Sequence, residues 1–160
     1  MMGQVVTEAE LVEAVNADRA AGRTVAFANG CFDLLHVGHV RYLQGAVAEA
    51  DRLIVAINSD RSVRGLKGAN RPILSEADRA ELVAALRGVS YVVVFDDPDV
   101  ARLLLLLRPD VHCKGTDYTV DSVPERAIVQ SYGGRTAIVG DPKSHNTREL
   151  IAKIAGTSRQ

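Results

Sequence analysis

The sequence predicts an α/β domain, doubly wound around a five-stranded parallel sheet. Three observations predict it. Short apolar runs alternate with longer helical stretches along the chain. The runs, such as Leu53-Ile54-Val55-Ala56-Ile57, are continuously apolar rather than alternating in and out, as in strands covered on both faces. Cap and stop residues separate the segments, so right-handed crossovers carry each strand to the next.

Thr7-Glu8-Ala9-Glu10 reads as a capping box opening a helix toward Ala21, with Gly22 as its stop. A strand follows over Thr24 to Ala28, then a helix over Val37 to Ala50 and a buried strand over Arg52 to Asn58. Ser59 to Leu74 reads as a long polar loop with two glycines and Pro72. Ser75 caps a helix reaching about Leu86, which Gly88 ends, and Tyr91 to Phe95 is the third strand. Asp97-Pro98 reads as an N-cap and first helical residue, opening a helix to Leu107 that Pro109 stops. Val111-His112-Cys113 is a fourth strand, and a glycine-bearing loop from Lys114 to Ser122 leads to a helix around Pro124 to Tyr132. Gly133-Gly134 ends that helix, Arg135 to Val139 is the fifth strand, and a last helix runs from about Asn146 to Ala155.

Composition narrows the function. The 160 residues suit one domain, expected to cover residues 1–160. A net charge of -1, 4% aromatic residues and no Trp argue against a nucleic-acid partner, which calls for a basic field or stacking rings. No apolar run is long enough for a membrane span; Leu103 to Leu107 is the greasiest stretch. Cys31 and Cys113 stand alone, without a CxxC pair, which argues against zinc ribbons and disulfide frameworks. Both read as small buried fillers, and a reducing cytoplasm is the expected setting. His112, on a strand, reads as a structural histidine.

The chemistry concentrates where strands hand over to helices. In Asn29-Gly30-Cys31-Phe32-Asp33-Leu34-Leu35-His36-Val37-Gly38-His39, two histidines three apart share one face at a helix start. A helix N-terminus favours anions, and Gly38 lets backbone approach a phosphate. The motif by itself leaves open a metal site of His36, His39 and Asp33, or a merely polar helix start. Lys67, flanked by Gly65 and Gly68, is a loop cation able to swing onto phosphate. Gly115 permits a sharp turn that throws Lys114 into the crevice, and Asp117 suits hydrogen bonds from a ribose or base. All these loops lie at the carboxyl edge of the sheet, where such folds bind ligands at a topological switch point.

The run Gly30 to His39 resembles the HxGH signature of the cytidylyltransferase-like nucleotidyltransferases. Together with Asp51 to Asp60, Leu66-Lys67-Gly68 with Arg71-Pro72, and Lys114 to Tyr118, it resembles the heptose 1-phosphate adenylyltransferase branch, in register from about Thr24 to Ile154. The resemblance implies a Rossmann-like fold and transfer of AMP from ATP to a sugar 1-phosphate, with Mg²⁺ on the phosphates and a homodimer as the assembly. It implies that His36, His39 and Lys114 are catalytic. Gly30, Cys31, Phe32, Asp33, Gly38, Asp117, Asn146, Thr147 and Arg148 would line the nucleotide, with Asp33 shaping the turn, and Lys67 and Arg71 would hold the acceptor phosphate. A separate kinase would supply the sugar phosphate. A rival reading with the same chemistry uses CTP and an alcohol phosphate such as glycerol 3-phosphate, or ATP and a flavin phosphate, and a third is a binding module without turnover. Family members carry a second glycine at Thr116 and hydroxyl residues where this chain has Asn146-Thr147-Arg148. Arg148 there either grips phosphate or faces solvent, and His145 on the preceding loop is a further candidate contact.

Overall fold

The computed structural model describes residues 2–142 and 146–158. Among the described residues six parallel strands run β1 (Gln4–Val5), β2 (Val25–Gly30), β3 (Arg52–Asn58), β4 (Tyr91–Phe95), β5 (Val111–Lys114) and β6 (Arg135–Ile138). Their order across the sheet is β1-β4-β3-β2-β5-β6. The chain winds outward from β2 through β3 to β4, then returns to place β5 on the other side of β2. The carboxyl ends of β2 and β5 thus form the switch point, where diverging connections leave a crevice.

Continuous apolar strands serve two cores, because successive side chains face opposite ways. Ala26 and Ala28 of β2 join one core with Leu43 and Ala46 of α2 (Val37–Val47) and Ala80 and Val83 of α4 (Glu76–Ala84). Val25 and Phe27 join the other with Leu11 and Val15 of α1 (Glu8–Ala20), Leu103 and Leu107 of α5 (Ala101–Leu107), and Val129 of α6 (Arg126–Ser131). The capping box at Thr7 forms as expected, with Thr7 Oγ1 accepting the Glu10 N–H and Glu10 accepting that of Thr7.

Three expectations need correction. The sheet has six strands rather than five, because Gln4–Val5 pairs with the edge of β4; two exposed residues carry no strand pattern of their own. The segment after β3 is not all loop: α3 (Asp60–Lys67) begins at Ser59, whose hydroxyl accepts the Ser62 N–H, and buries Val63 under a charged outer face. Asp97-Pro98 does not open α5, which starts after Val100; the Asp97 carboxylate is spent instead on the Arg102 guanidinium, and Asp99 accepts the Ala101 N–H. Other ends shift by a few residues: α2 stops at Val47, α4 at Ala84, and α7 (Thr147–Ser158) runs past Ala155.

Candidate active site

A cleft of about 760 Å³ opens over the carboxyl ends of β2 and β5, within the usual range for small-ligand sites. It brings the sequence-selected residues together. Gly30, Cys31, Phe32, Asp33, His36, Gly38 and His39 line it from the β2–α2 turn. Lys67 and Arg71 reach it from the end of α3 and beyond, Lys114 and Asp117 from the end of β5, and Asn146, Thr147 and Arg148 from the start of α7. His145 and Ser144 lie outside the described residues.

His36 is the N-cap of α2. Its Nδ1 accepts the Gly38 N–H at 3.1 Å, while His39 Nδ1 accepts the His36 N–H at 3.3 Å. Two imidazoles thereby form a reciprocal capping box, and their rings stack at 3.9 Å between centroids. Each Nδ1 is an acceptor here, so the proton of a neutral ring would sit on Nε2. Beneath His39 lies the buried Phe32 ring, edge-on at 5.5 Å and stacked on Tyr42 at 6.4 Å. The Tyr42 hydroxyl donates to the Cys113 carbonyl at 2.7 Å, and burial pushes its pKa well up.

Phe32 and Leu34 take φ of 50° and 51°, left-handed backbone that costs a residue with a Cβ roughly 1–2 kcal/mol each. Asp33 between them offsets this. Its Oδ1 accepts the Leu74 N–H at 3.0 Å, and Oδ2 accepts the Ile73 N–H at 2.8 Å and Arg71 Nε at 3.0 Å. Burial pushes the Asp33 pKa up, but these donors together hold it below the ordinary carboxylate value. Asp33 thus lines the cleft while spending both carboxylate oxygens on the segment between α3 and α4. Among the described residues, no group of three His, Cys, Asp or Glu side chains is placed to hold a metal ion.

The other walls are tied to this turn. Thr147 Oγ1 donates to the Asp33 carbonyl at 2.8 Å, and Asn146 Oδ1 caps α7 by accepting the Glu149 N–H at 2.7 Å. Arg148 stands exposed on the cleft wall. Lys114 Nζ sits 4.8 Å from the centre of the Tyr118 ring, a cation–π contact. Thr116 uses its hydroxyl to hold the Asp141 carbonyl at 2.8 Å, which docks the β5 loop on the segment after β6. His112 is buried with Nε2 3.0 Å from Asn29 Oδ1, and its Nδ1 has no partner. Burial, with Lys114 nearby, pushes its pKa down to about 3, so it stays neutral and donates to Asn29. Cys113 is a buried filler with its thiol pushed up to about 12 by burial, whereas Cys31 reaches the cleft.

Sequence reasoning missed several contributors. Arg41, which pairs with Asp141 at 3.1 Å, and Tyr42 reach the cleft from α2, and Tyr118 from the β5 loop. Gly140 carried the one available signal: its φ is +92°, and a Cβ there would lie 3.1 Å from Tyr42 Cα. Gly140→Ala is expected to cost about 1–3 kcal/mol. Thermal unfolding should show this as a fall in Tm of roughly 3–10 °C.

Comparison with known proteins matches residues 27–154 to the family model described as cytidylyltransferase-like. The chain is 49% identical over 140 residues to the bifunctional protein HldE of Geobacter sulfurreducens, covering 88% of this chain but 29% of that protein. It is 46% identical over 137 residues to the protein of the same name from Methylobacillus flagellatus, covering 86% of this chain and 28% of that one. The chain therefore spans under a third of the length of these relatives. A crystal structure of a lipopolysaccharide core biosynthesis protein from Thermoplasma volcanium superposes with a TM-score of 0.66 at 25% identity, over 76% of this chain and 100% of that one.

Proposed function

Because this chain belongs to the cytidylyltransferase-like family, we propose that its cleft transfers AMP from ATP to a sugar 1-phosphate, D-glycero-β-D-manno-heptose 1-phosphate, releasing pyrophosphate and forming ADP-heptose. The observation that carries this reading is the stacked histidine pair. Both Nδ1 atoms accept backbone N–H groups at the start of α2, which fixes both rings in a cleft that also holds Lys114 and the start of α7. The choice of acceptor is supported by the sequence blocks at Lys67, Arg71 and Lys114 to Tyr118, and by the similarity to a protein of lipopolysaccharide core biosynthesis.

The acceptor phosphate is already an anion, so attack on the α-phosphorus needs no general base. The new P–O bond forms as the α–β bridging bond breaks, and pyrophosphate leaves with the electron pair. Charge on the five-coordinate phosphorus is met by His36 and His39 Nε2–H and by Lys114, groups fixed before reaction. The N-terminus of α7, through the Asn146, Thr147 and Arg148 backbone, favours the leaving phosphates, and Arg148 adds a cation there. Lys67 and Arg71, two cations lining the cleft, would hold the acceptor phosphate. Asp117 suits the ribose or base. Among the described residues no three His, Cys, Asp or Glu side chains are grouped to hold a metal ion, which fits a Mg²⁺ that would be held by the nucleotide phosphates and would neutralise their charge.

Pyrophosphate release measured with ATP and CTP, each against sugar 1-phosphates and glycerol 3-phosphate, tests the reading. ATP with the heptose 1-phosphate should give the highest kcat/KM. CTP with glycerol 3-phosphate as the best pair would overturn the substrate assignment, and tight ATP binding with no release would overturn catalysis. In the same assay Arg148→Ala is expected to raise the KM for ATP severalfold; an unchanged KM places its side chain in solvent. The proposal includes a cytoplasmic setting, in keeping with two free thiols, and a homodimer, which sedimentation would report as twice 17.2 kDa. No helix among the described residues is long and apolar enough to cross a membrane.

A further inference from the structure

Arg79 of α4 is completely buried and does not line the cleft. Its guanidinium donates from Nη1 to the carbonyls of Cys31 at 2.6 Å and Asn58 at 2.7 Å, from Nε to Leu74 O at 3.0 Å, and from Nη2 to Asp60 Oδ1 at 2.8 Å. Four separate segments meet at one planar fork: the nucleotide turn, the end of β3, the start of α3, and the stretch that carries Arg71. Asp33 closes the arrangement from the other side. It holds the Leu74 N–H while Arg79 holds the Leu74 carbonyl, and Asp33 sits two residues beyond Cys31.

Stability alone gives little reason for such a residue. Desolvating a cation is costly, and apolar replacements of buried ionic groups are often neutral or stabilising. What a rigid fork supplies, and an apolar side chain does not, is a fixed spacing between the carbonyls it joins. We infer that Arg79 is a positioning residue, which sets the distance between the acceptor-side cations Lys67 and Arg71 and the histidine pair, and so aligns acceptor oxygen and α-phosphorus. This rests on the acceptor-phosphate reading of Lys67 and Arg71.

Alignment errors of about 1 Å cost on the order of 100-fold in rate without abolishing binding. Arg79→Lys keeps the charge and loses the fork. The expected result is a folded protein whose kcat at saturating ATP and acceptor falls at least tenfold, with both KM values within about threefold. A folded Arg79→Lys with unchanged kcat, or with only KM raised, would overturn the inference. Asp60→Ala removes a single Arg79 partner from the half-buried start of α3 and carries the test should Arg79→Lys not fold; it is expected to lower kcat severalfold, and an unchanged kcat overturns the claim. Lys67→Ala and Arg71→Ala separate the two readings. If they leave the acceptor KM unchanged while Arg79→Lys still lowers kcat, the acceptor-phosphate assignment has failed; if they raise it while Arg79→Lys keeps full kcat, the positioning role has failed.

Discussion

His39→Ala is expected to lower kcat at least about 100-fold, the scale for removing one preorganised donor to a developing oxyanion. The substitution also removes the bond from the His36 N–H to His39 Nδ1 and an edge contact with Phe32, so a small loss of stability accompanies it. The two effects are separable. His39→Asn keeps an acceptor near the His36 N–H but has no Nε2, and is expected to recover Tm without recovering kcat. Since the donor acts chiefly in the transition state, the KM for ATP should change far less than kcat in both variants. Full recovery of rate in His39→Asn would mean that the helix cap, not the donor, is what matters.

Asp33→Ala is expected to be the most destabilising change in the cleft, costing about 3–5 kcal/mol, because it strands a largely buried guanidinium and two N–H groups. Chemical denaturation measures this directly, and a loss below about 1 kcal/mol would contradict the role assigned to Asp33. The same group predicts a pH dependence. Its pKa is lower in the folded chain than the ordinary value near 3.9, so its contribution is fully present above about pH 4–5 and is lost as pH falls through the folded value. Wild-type stability should therefore fall steeply below about pH 4, and Asp33→Asn should flatten that fall. An equally steep fall in Asp33→Asn would assign the acid sensitivity to other carboxylates.

Much of this was readable from the chain because its signals are local. β3 falls on Arg52–Asn58 and β4 on Tyr91–Phe95 as expected, since a strand buried on both faces is an unbroken apolar run. The caps at Thr7 and Ser75 were visible as hydroxyl residues ahead of helical stretches. The cleft lining was readable for a different reason: a parallel sheet places every strand-to-helix loop on one edge, so residues after β2, β3, β5 and β6 had to converge. Elements fixed by distant partners were not readable. β1 exists only because β4 offers an edge, and α3 shows a single buried side chain, Val63, in an otherwise charged stretch. Arg79 is one charge among Glu76, Asp78 and Glu81 in the sequence, and its partners lie as far as 48 residues away. Asp33 lines the cleft from the turn it is expected to shape, but its bonds to Ile73 and Leu74 span about forty residues that no short motif encodes.

In the proposed reaction this cleft joins the α-phosphorus of ATP to the phosphate of a sugar. The most direct measurement follows label from ATP carrying ³²P at either the α or the γ position, with the heptose 1-phosphate as acceptor. The α label is expected in the sugar nucleotide and the γ label in pyrophosphate, in equal amounts and at rates that fall together in His39→Ala. Label from the γ position in the sugar product, or pyrophosphate formed without a labelled sugar nucleotide, would contradict the account.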